Sequence, residues 1–156
     1  MATTVKAATL TVTLTESIVL NGVDQGGTQV HTIASVTEVS RRIVAIPTSE
    51  VIILAMGATA PAAGTFVETD VRYIRITNLD NTNHVTLTFR SEGAAEFAVK
   101  LDAGQSFIYN GDNSGGVVDT MDADSSALTV SLEDLVDITA LADTAAVDLE
   151  LFVAGV

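Results

Sequence analysis

The chain has 156 residues and no cysteine, which sizes it for one domain of ~100–200 residues and excludes disulfide frameworks, thiolate metal centres and cysteine nucleophiles. With 21 Thr, 20 Val and 10 Ile against 5 Phe, 2 Tyr and no Trp, and with 47% hydrophobic residues, the composition favours strands and excludes disorder over most of the length. Seven basic residues face 20 acidic ones, and all seven fall within residues 1–100, so residues 101–156 hold eleven acids and no cation. That anionic third repels phosphate backbones and anionic lipid, which argues against nucleic acid and membrane as partners; a basic protein partner remains compatible.

Taken in chain order, the first strand signal is the most regular. Ala8, Leu10, Val12 and Leu14 alternate with Thr9, Thr11, Thr13 and Thr15, and the apolar phase runs on through Ile18 and Leu20 to Asn21-Gly22. Alternation on a strand sends side chains to opposite faces, so this segment is expected to bury an aliphatic face and leave a hydroxyl face wet or against a neighbour. Residues 1–7 read as an extended arm. Val23 to Gly27 reads as a turn, followed by strands over Val30–Val36 and Val39–Ile46 that end at Pro47, which has no N–H to give a ladder. Val51 to Met56 is a continuous apolar run, expected to be buried on both faces, and the Ala-rich segment 57–64 with Pro61 reads as a loop.

Three hairpins are expected beyond this point. Val71–Thr77 leads through an Asn/Asp cluster at residues 78–83 into Val85, Leu87 and Phe89, and such residues bond their own backbone in turns. Phe97, Val99 and Leu101 lead through Asp102-Ala103-Gly104 into Ser106–Tyr109, and Val136–Ala142 leads through residues 143–146 into Val147–Val153. Between the second and third pair, residues 110–126 form a long loop, and Leu128, Val130 and Leu132 alternate as a further strand. Glu133–Leu141 is compatible with a short helix by its spacing of three, but its β-branched residues favour a strand. Eight to ten short strands in an all-β chain need a second layer over their apolar face, so the fold class predicted is a two-sheet antiparallel sandwich of jelly-roll or Greek-key type, in a single domain over 1–156. Val51–Ala63 is too short for a membrane-spanning helix of ~20 residues, and Met1–Leu14 lacks the apolar run of a signal peptide, so synthesis and action without membrane crossing are expected.

Candidate chemistry is sparse. His31 and His84 have no second histidine at metal-ligand spacing and no nucleophile elbow accompanies them, so structural roles are expected for both. The densest set of oxygen ligands is Asp112, Asn113, Asp119, Asp122 and Asp124 in the long loop; the spacing permits calcium but departs from the D-x-[DN]-x-[DN]-G pattern, and a solvated loop is the preferred reading. Arg41, Arg42, Arg72 and Arg75 are candidate interface residues, pairing either across subunits or within the chain. Arg72 and Arg75, separated by an odd number, are expected on opposite faces. No enzyme activity and no cofactor are expected. A carbohydrate-binding module would require an exposed aromatic patch, and a hydrolase would require an acidic pair in a pocket near His31 or His84.

The segments VRYIRITNLDNTNHVTLTF (71–89) and FAVKLDAGQSFIYN (97–110) resemble small β-sandwich structural proteins of tailed bacteriophages, of the capsid decoration or cement type. The likeness lies in Ile76-Thr77-Asn78-Leu79-Asp80 and in Leu101-Asp102-Ala103-Gly104-Gln105-Ser106-Phe107. What the resemblance implies is a virion protein without an active site, made in the host cytoplasm, whose partners are the major capsid protein or other virion proteins and which forms homodimers or trimers on the shell. A neck, tail or fibre component is the alternative within that class. The Thr face of the first strand, the arm 1–7 and the loop 57–64 are the expected contact surfaces.

Overall fold

The computed structural model describes residues 4–59, 65–123 and 131–156. Thirteen strands occur among them: β1 (Ala8–Glu16), β2 (Val19–Leu20), β3 (Val23–Asp24), β4 (Gly27–Val36), β5 (Glu38–Ile46), β6 (Val51–Gly57), β7 (Phe66–Val67), β8 (Val71–Asn78), β9 (Val85–Ser91), β10 (Glu96–Leu101), β11 (Ser106–Asn110), β12 (Leu135–Ala142) and β13 (Val147–Gly155). Two sheets face each other. The first has the order β10-β9-β12-β6-β7 and the second β11-β8-β13-β5. All pairings in both are antiparallel except the short parallel contact of β6 with β7. With β5, β13, β8 and β11 laid over β6, β12, β9 and β10, the chain crosses between the layers at nearly every connection, which is the path of a jelly roll.

The core lies between the layers. Val85, Leu87 and Phe89 of β9 and Ile138 and Ala140 of β12 are fully buried against Ile74 and Ile76 of β8 and Leu149, Leu151 and Val153 of β13. Phe89 is its centre: the ring stacks on Phe97 at a centroid distance of 4.7 Å and meets Phe107 at 5.0 Å and Tyr109 at 5.8 Å. Phe97 comes from the first sheet and Phe107 and Tyr109 from the second, so one aromatic cluster clamps the two layers together.

The three expected hairpins are corrected by this topology. β8 and β9, β10 and β11, and β12 and β13 each lie in different sheets, so their connections are arches over the core. Strand limits and turn residues were legible, but an Asn/Asp turn reverses a chain equally well within a sheet or between sheets. The arches are held by Asn78, which is fully buried. Its Nδ2 donates to the Asn83 carbonyl at 2.9 Å and to the Leu101 carbonyl at 3.2 Å, while its Oδ1 accepts from the Asp80 N–H at 2.9 Å. Its backbone N–H reaches Gln105 O at 2.9 Å and its carbonyl takes Gly104 N–H at 3.1 Å. Two arches thus converge on one side chain whose donors and acceptor are all used.

Three further expectations change. β6 is buried only in part: Ile53 is the extra residue of a bulge against β12, and Ile52 points outward with 63% exposure. Leu132 lies outside any strand, and Leu128 and Val130 lie outside the described residues. The turn expected at 23–27 is tighter: Asn21 and Gly22, with φ of 52° and 80°, make the reversal, and Val23–Asp24 already pairs with Val19–Leu20. Residues 135–142 form a strand, as their β-branched content favours.

Asn78→Asp keeps the shape of the side chain but leaves the carbonyls of Asn83 and Leu101 facing a carboxylate. We expect it to destabilise the fold by about 2–4 kcal/mol in urea unfolding; a loss below about 1 kcal/mol would show that the arches hold without it.

Candidate functional site

The first strand does not enter the main core. β1 pairs with β4 from Glu16↔Gly27 back to Ala8↔Val36, and β2 with β3 continues the same ladder to the Asn21-Gly22 tip, so residues 8–36 form one long two-stranded ribbon. Thirteen extended residues per arm span roughly 40 Å at ~3.3 Å each. Its register places Leu10 opposite Ile33, Val12 opposite His31 and Leu14 opposite Gln29 on one face, with Thr11, Thr13 and Thr15 opposite Thr32, Val30 and Thr28 on the other. The two-faced pattern of the sequence is therefore present, but its aliphatic face is buried only at the base.

At that base a small second core forms. Ile33 and Val36 pack with Leu10 and Val12 onto Tyr73, Phe152, Ala154 and Val156 on the outer side of the second sheet. Three residues apart, Ile33 and Val36 would point to opposite faces of a regular strand. A bulge opposite Ala8–Leu10, with Ser35 at φ 60°, brings both inward. Past Val12 the ribbon leaves the sheet. A cleft of about 460 Å³ opens beneath it, lined by Val12, Leu14, His31, Tyr73, Ile108 and Asn110 among others.

Exposure is concentrated here. Of the thirteen large hydrophobic residues that are exposed among those described, nine lie within residues 1–43, including Leu14, Ile18, Val19, Leu20, Val23 and Val30 on the ribbon. All thirteen are aliphatic, and none of the seven aromatic residues of the chain is exposed. Residues 1–43 contain three basic and three acidic residues and carry no net charge, whereas the remainder carries the whole −13. The ribbon, residues 8–36, is thus rich in exposed aliphatics and sparse in charge, with Glu16 and Asp24 as its acids and no Lys or Arg.

The body's free strand edge at β5 is guarded. Arg42 stands opposite Leu151, on the inward face, and its Nη2 donates across the open side of the sandwich to the Ile53 carbonyl of β6. An inward charge on an end strand obstructs pairing with another chain. The ribbon carries no such guard: between Ala8 and Val36 its only ionisable residues are Glu16, Asp24 and His31.

The other candidate arginines also find acceptors in their own chain. Arg41 and Arg75 converge on Glu150, at 2.6 Å and 2.5 Å, across the outer face of the second sheet. Glu150 is 8% exposed, and the hydrogen bonds from Arg41 and then Arg75 hold its carboxyl below the usual range. Arg72 is the extra residue of a bulge in β8 where Tyr73 faces Ala154 and Val71 faces Gly155, so simple alternation does not decide its face; its Nη1 donates to Thr69 O at 2.6 Å. Arg90, outside the predicted set, gathers Glu50 at 2.5 Å, Glu96 at 3.3 Å and Asp137 at 3.7 Å on the outer face of the first sheet. Burial raises the Asp137 carboxyl, and the Thr139 hydroxyl bond lowers that of Glu50.

The long loop does not assemble its acids. Asp112 Oδ1 accepts from Ser114 N at 2.8 Å, Ser114 Oγ at 2.7 Å and Gly115 N at 2.7 Å, a self-capped turn that lowers its carboxyl. Asp119 donates its N–H to Asp134, Asp122 stands elsewhere in the loop, and Asp124 lies outside the described residues. Among the described residues no three His, Asp or Glu side chains are grouped to hold a metal ion. His84 Nδ1 stands 3.6 Å from Asp143 at an arch, and the two clefts beside His31 are lined by no acidic side chain. Of the expected contact surfaces, residues 4–7 are exposed and outside any strand, and residues 1–3 and 60–64 lie outside the described residues. The ribbon tip was missed as a surface because strand alternation in a sequence reads as burial.

No family model matches the chain, and no curated relative does. Among solved structures it is similar to a chain from the study "Bacillus endospore appendages form a novel family of disulfide-linked pili", with 15% identity, a TM-score of 0.39, and coverage of 75% of this chain and 86% of that one. No residue role passes between them at that similarity, and this chain has no cysteine with which to form a disulfide.

Glu150→Gln tests the triad. Because the folded carboxyl lies below its unfolded value, its stabilisation is present at neutral pH and is lost as pH falls through the folded value. We expect the variant to be less stable by about 1 kcal/mol at pH 7, roughly 2–4 °C in Tm, and the gap to close below the ordinary Glu value of about 4.3. An equal gap at pH 3 and pH 7 would assign the loss to packing.

Proposed function

We propose that the chain is a non-enzymatic structural subunit of a virion, of the capsid decoration type, that docks through its N-terminal ribbon. The observation that carries this reading is the concentration of exposed apolar surface: among the described residues, nine of thirteen exposed large aliphatics stand on the ribbon and its flanks, within residues 1–43. Exposed apolar residues concentrated on one projecting element fit a surface that becomes covered in an assembly. The likeness of residues 71–110 to tailed-phage β-sandwich proteins supports a virion as the assembly in this reading. The major capsid protein is then the partner, and the reinforcement comes from apolar burial repeated at every lattice position, at roughly 25 cal/mol per Å² before association costs.

The alternative within this class is a neck, tail or fibre component. A carbohydrate-binding role is not favoured, since every aromatic side chain is at least partly buried and none offers an open platform for a sugar ring.

Quantitative mass spectrometry of purified particles tests the reading. Hundreds of copies per particle are expected for a shell protein and about a dozen for a neck or tail ring. A chain absent from particles would overturn it.

A further inference from the structure

Arg72 differs from the other arginines of the chain. Arg41, Arg75 and Arg90 stand on carboxylates of their own chain, and Arg42 donates to a carbonyl from an exposed position. Arg72 is only 9% exposed, yet among the described residues no carboxylate lies within ion-pair distance of it. Its Nη1 donates to the Thr69 carbonyl, while its Nε and Nη2 have no acceptor among the described residues. Those two N–H groups form one edge of the guanidinium plane, the fork that matches the two oxygens of a carboxylate. Asp137 Oδ1 is the only fully buried, unbonded side-chain polar atom among the described residues, so the free edge of Arg72 still meets solvent.

That solvent fills a cleft of about 510 Å³ at the base of the ribbon. Strand β4, the start of β8, the turn after β11 and the residue after β13 build its walls. His31, Ser35 and Asn113 bring further hydrogen-bonding groups, Ile33 and Val156 bring apolar surface, and no acidic side chain lines it. In a chain of net charge −13, a cleft with a guanidinium and no side-chain carboxylate is set apart from its surroundings. Asp112 is close enough to feel the charge of Arg72, but its Oδ1 is turned to Ser114 and Gly115.

We propose that this cleft binds a carboxylate group, whose two oxygens accept the Nε–H and Nη2–H of Arg72 while Ser35 and Asn113 supply further donors. Charge selects a carboxylate over a phosphate. Arg72 is the one permanently charged side chain in the wall and matches one negative charge, whereas a dianion would bring a second, unmatched charge into an anionic protein. The carboxylate belongs either to a small organic acid, with its apolar part on Ile33 and Val156, or to an acidic side chain of a protein partner. The inference is independent of the virion reading, since it rests on the base of the ribbon and not on the exposed aliphatics.

NMR titration of the isotope-labelled full-length chain, at constant pH and ionic strength, tests it. Sodium acetate, sodium butanoate and the blocked peptide acetyl-Ala-Glu-Ala-amide are each exchanged for sodium chloride up to about 0.1 M. Acetate is expected to shift the Arg72 Nε–H and the Asn113 side-chain amide saturably, with a dissociation constant of about 1–10 mM. Butanoate binding more tightly than the peptide supports the site with a small organic acid as its ligand; the peptide binding more tightly supports it with an acidic partner side chain. Arg72→Lys keeps the charge but loses the fork, and should weaken acetate about tenfold. Asn113→Asp, in an exposed turn, places a carboxylate on the cleft wall and should weaken acetate at least as much with an unchanged circular dichroism spectrum. This second variant decides the matter if Arg72→Lys does not fold. Shifts that fail to saturate, or that are equal in wild type and Asn113→Asp, would overturn the proposal. Inorganic phosphate binding more tightly than acetate would overturn the carboxylate as the ligand class.

Discussion

Everything in this fold depends on eight strands burying alternate side chains in a single layer between two sheets, and hence on bringing the chain across that layer repeatedly without stranding backbone groups. Each crossing places carbonyls and N–H groups at the lip of an apolar core, where an unpartnered group costs about 1–3 kcal/mol. Asn78 resolves this at two arches together, because a carboxamide has donors for the Asn83 and Leu101 carbonyls and an acceptor for the Asp80 N–H. With those ends tied, Phe89 is positioned to touch three rings from two other strands, β10 and β11, and the layers are held by packing.

The same demand accounts for what lies outside the core. The ribbon of residues 8–36 has the alternation of a core strand but joins no core beyond Leu10, Val12, Ile33 and Val36. Its Ser35 bulge turns two aliphatics toward Tyr73 and Phe152 and so fastens the base, while the remaining aliphatics have nothing beneath them. The body shows the opposite treatment: Arg42 closes the open side at β5, Arg41 and Arg75 share the carboxylate of Glu150, and Arg90 faces three carboxylates of its own chain. Cations that seemed free to reach a partner are engaged at home. The side chains left uncovered are apolar ones, and this is why the contact surface is read from hydrophobic exposure more than from charge.

The body's charge has a separate consequence. The described acids of the last third are dispersed over arches, the long loop and the outer faces of both sheets: Asp112 and Asp134 accept backbone N–H groups, and Asp137 and Glu150 face arginines. Dispersed in this way they form a repulsive coat and gather no ligand shell for a metal among the described residues. A long acidic loop in a sequence and a cation site in a structure are different things, and convergence of oxygens in space separates them.

The sequence by itself determined the strand class, most strand limits, the positions where the chain turns, and the division of the first strand into hydroxyl and aliphatic faces, because these follow from β-branching, alternation and turn chemistry within a few residues. Only the tertiary structure decided that three turns are arches between sheets, that Arg41 and Arg75 share Glu150 across β5, β8 and β13, and that a strand written like core stands mostly in solvent. Those outcomes depend on which strands become neighbours. Neighbourhood is settled by the burial of the whole set at once, so no local stretch of residues contains it.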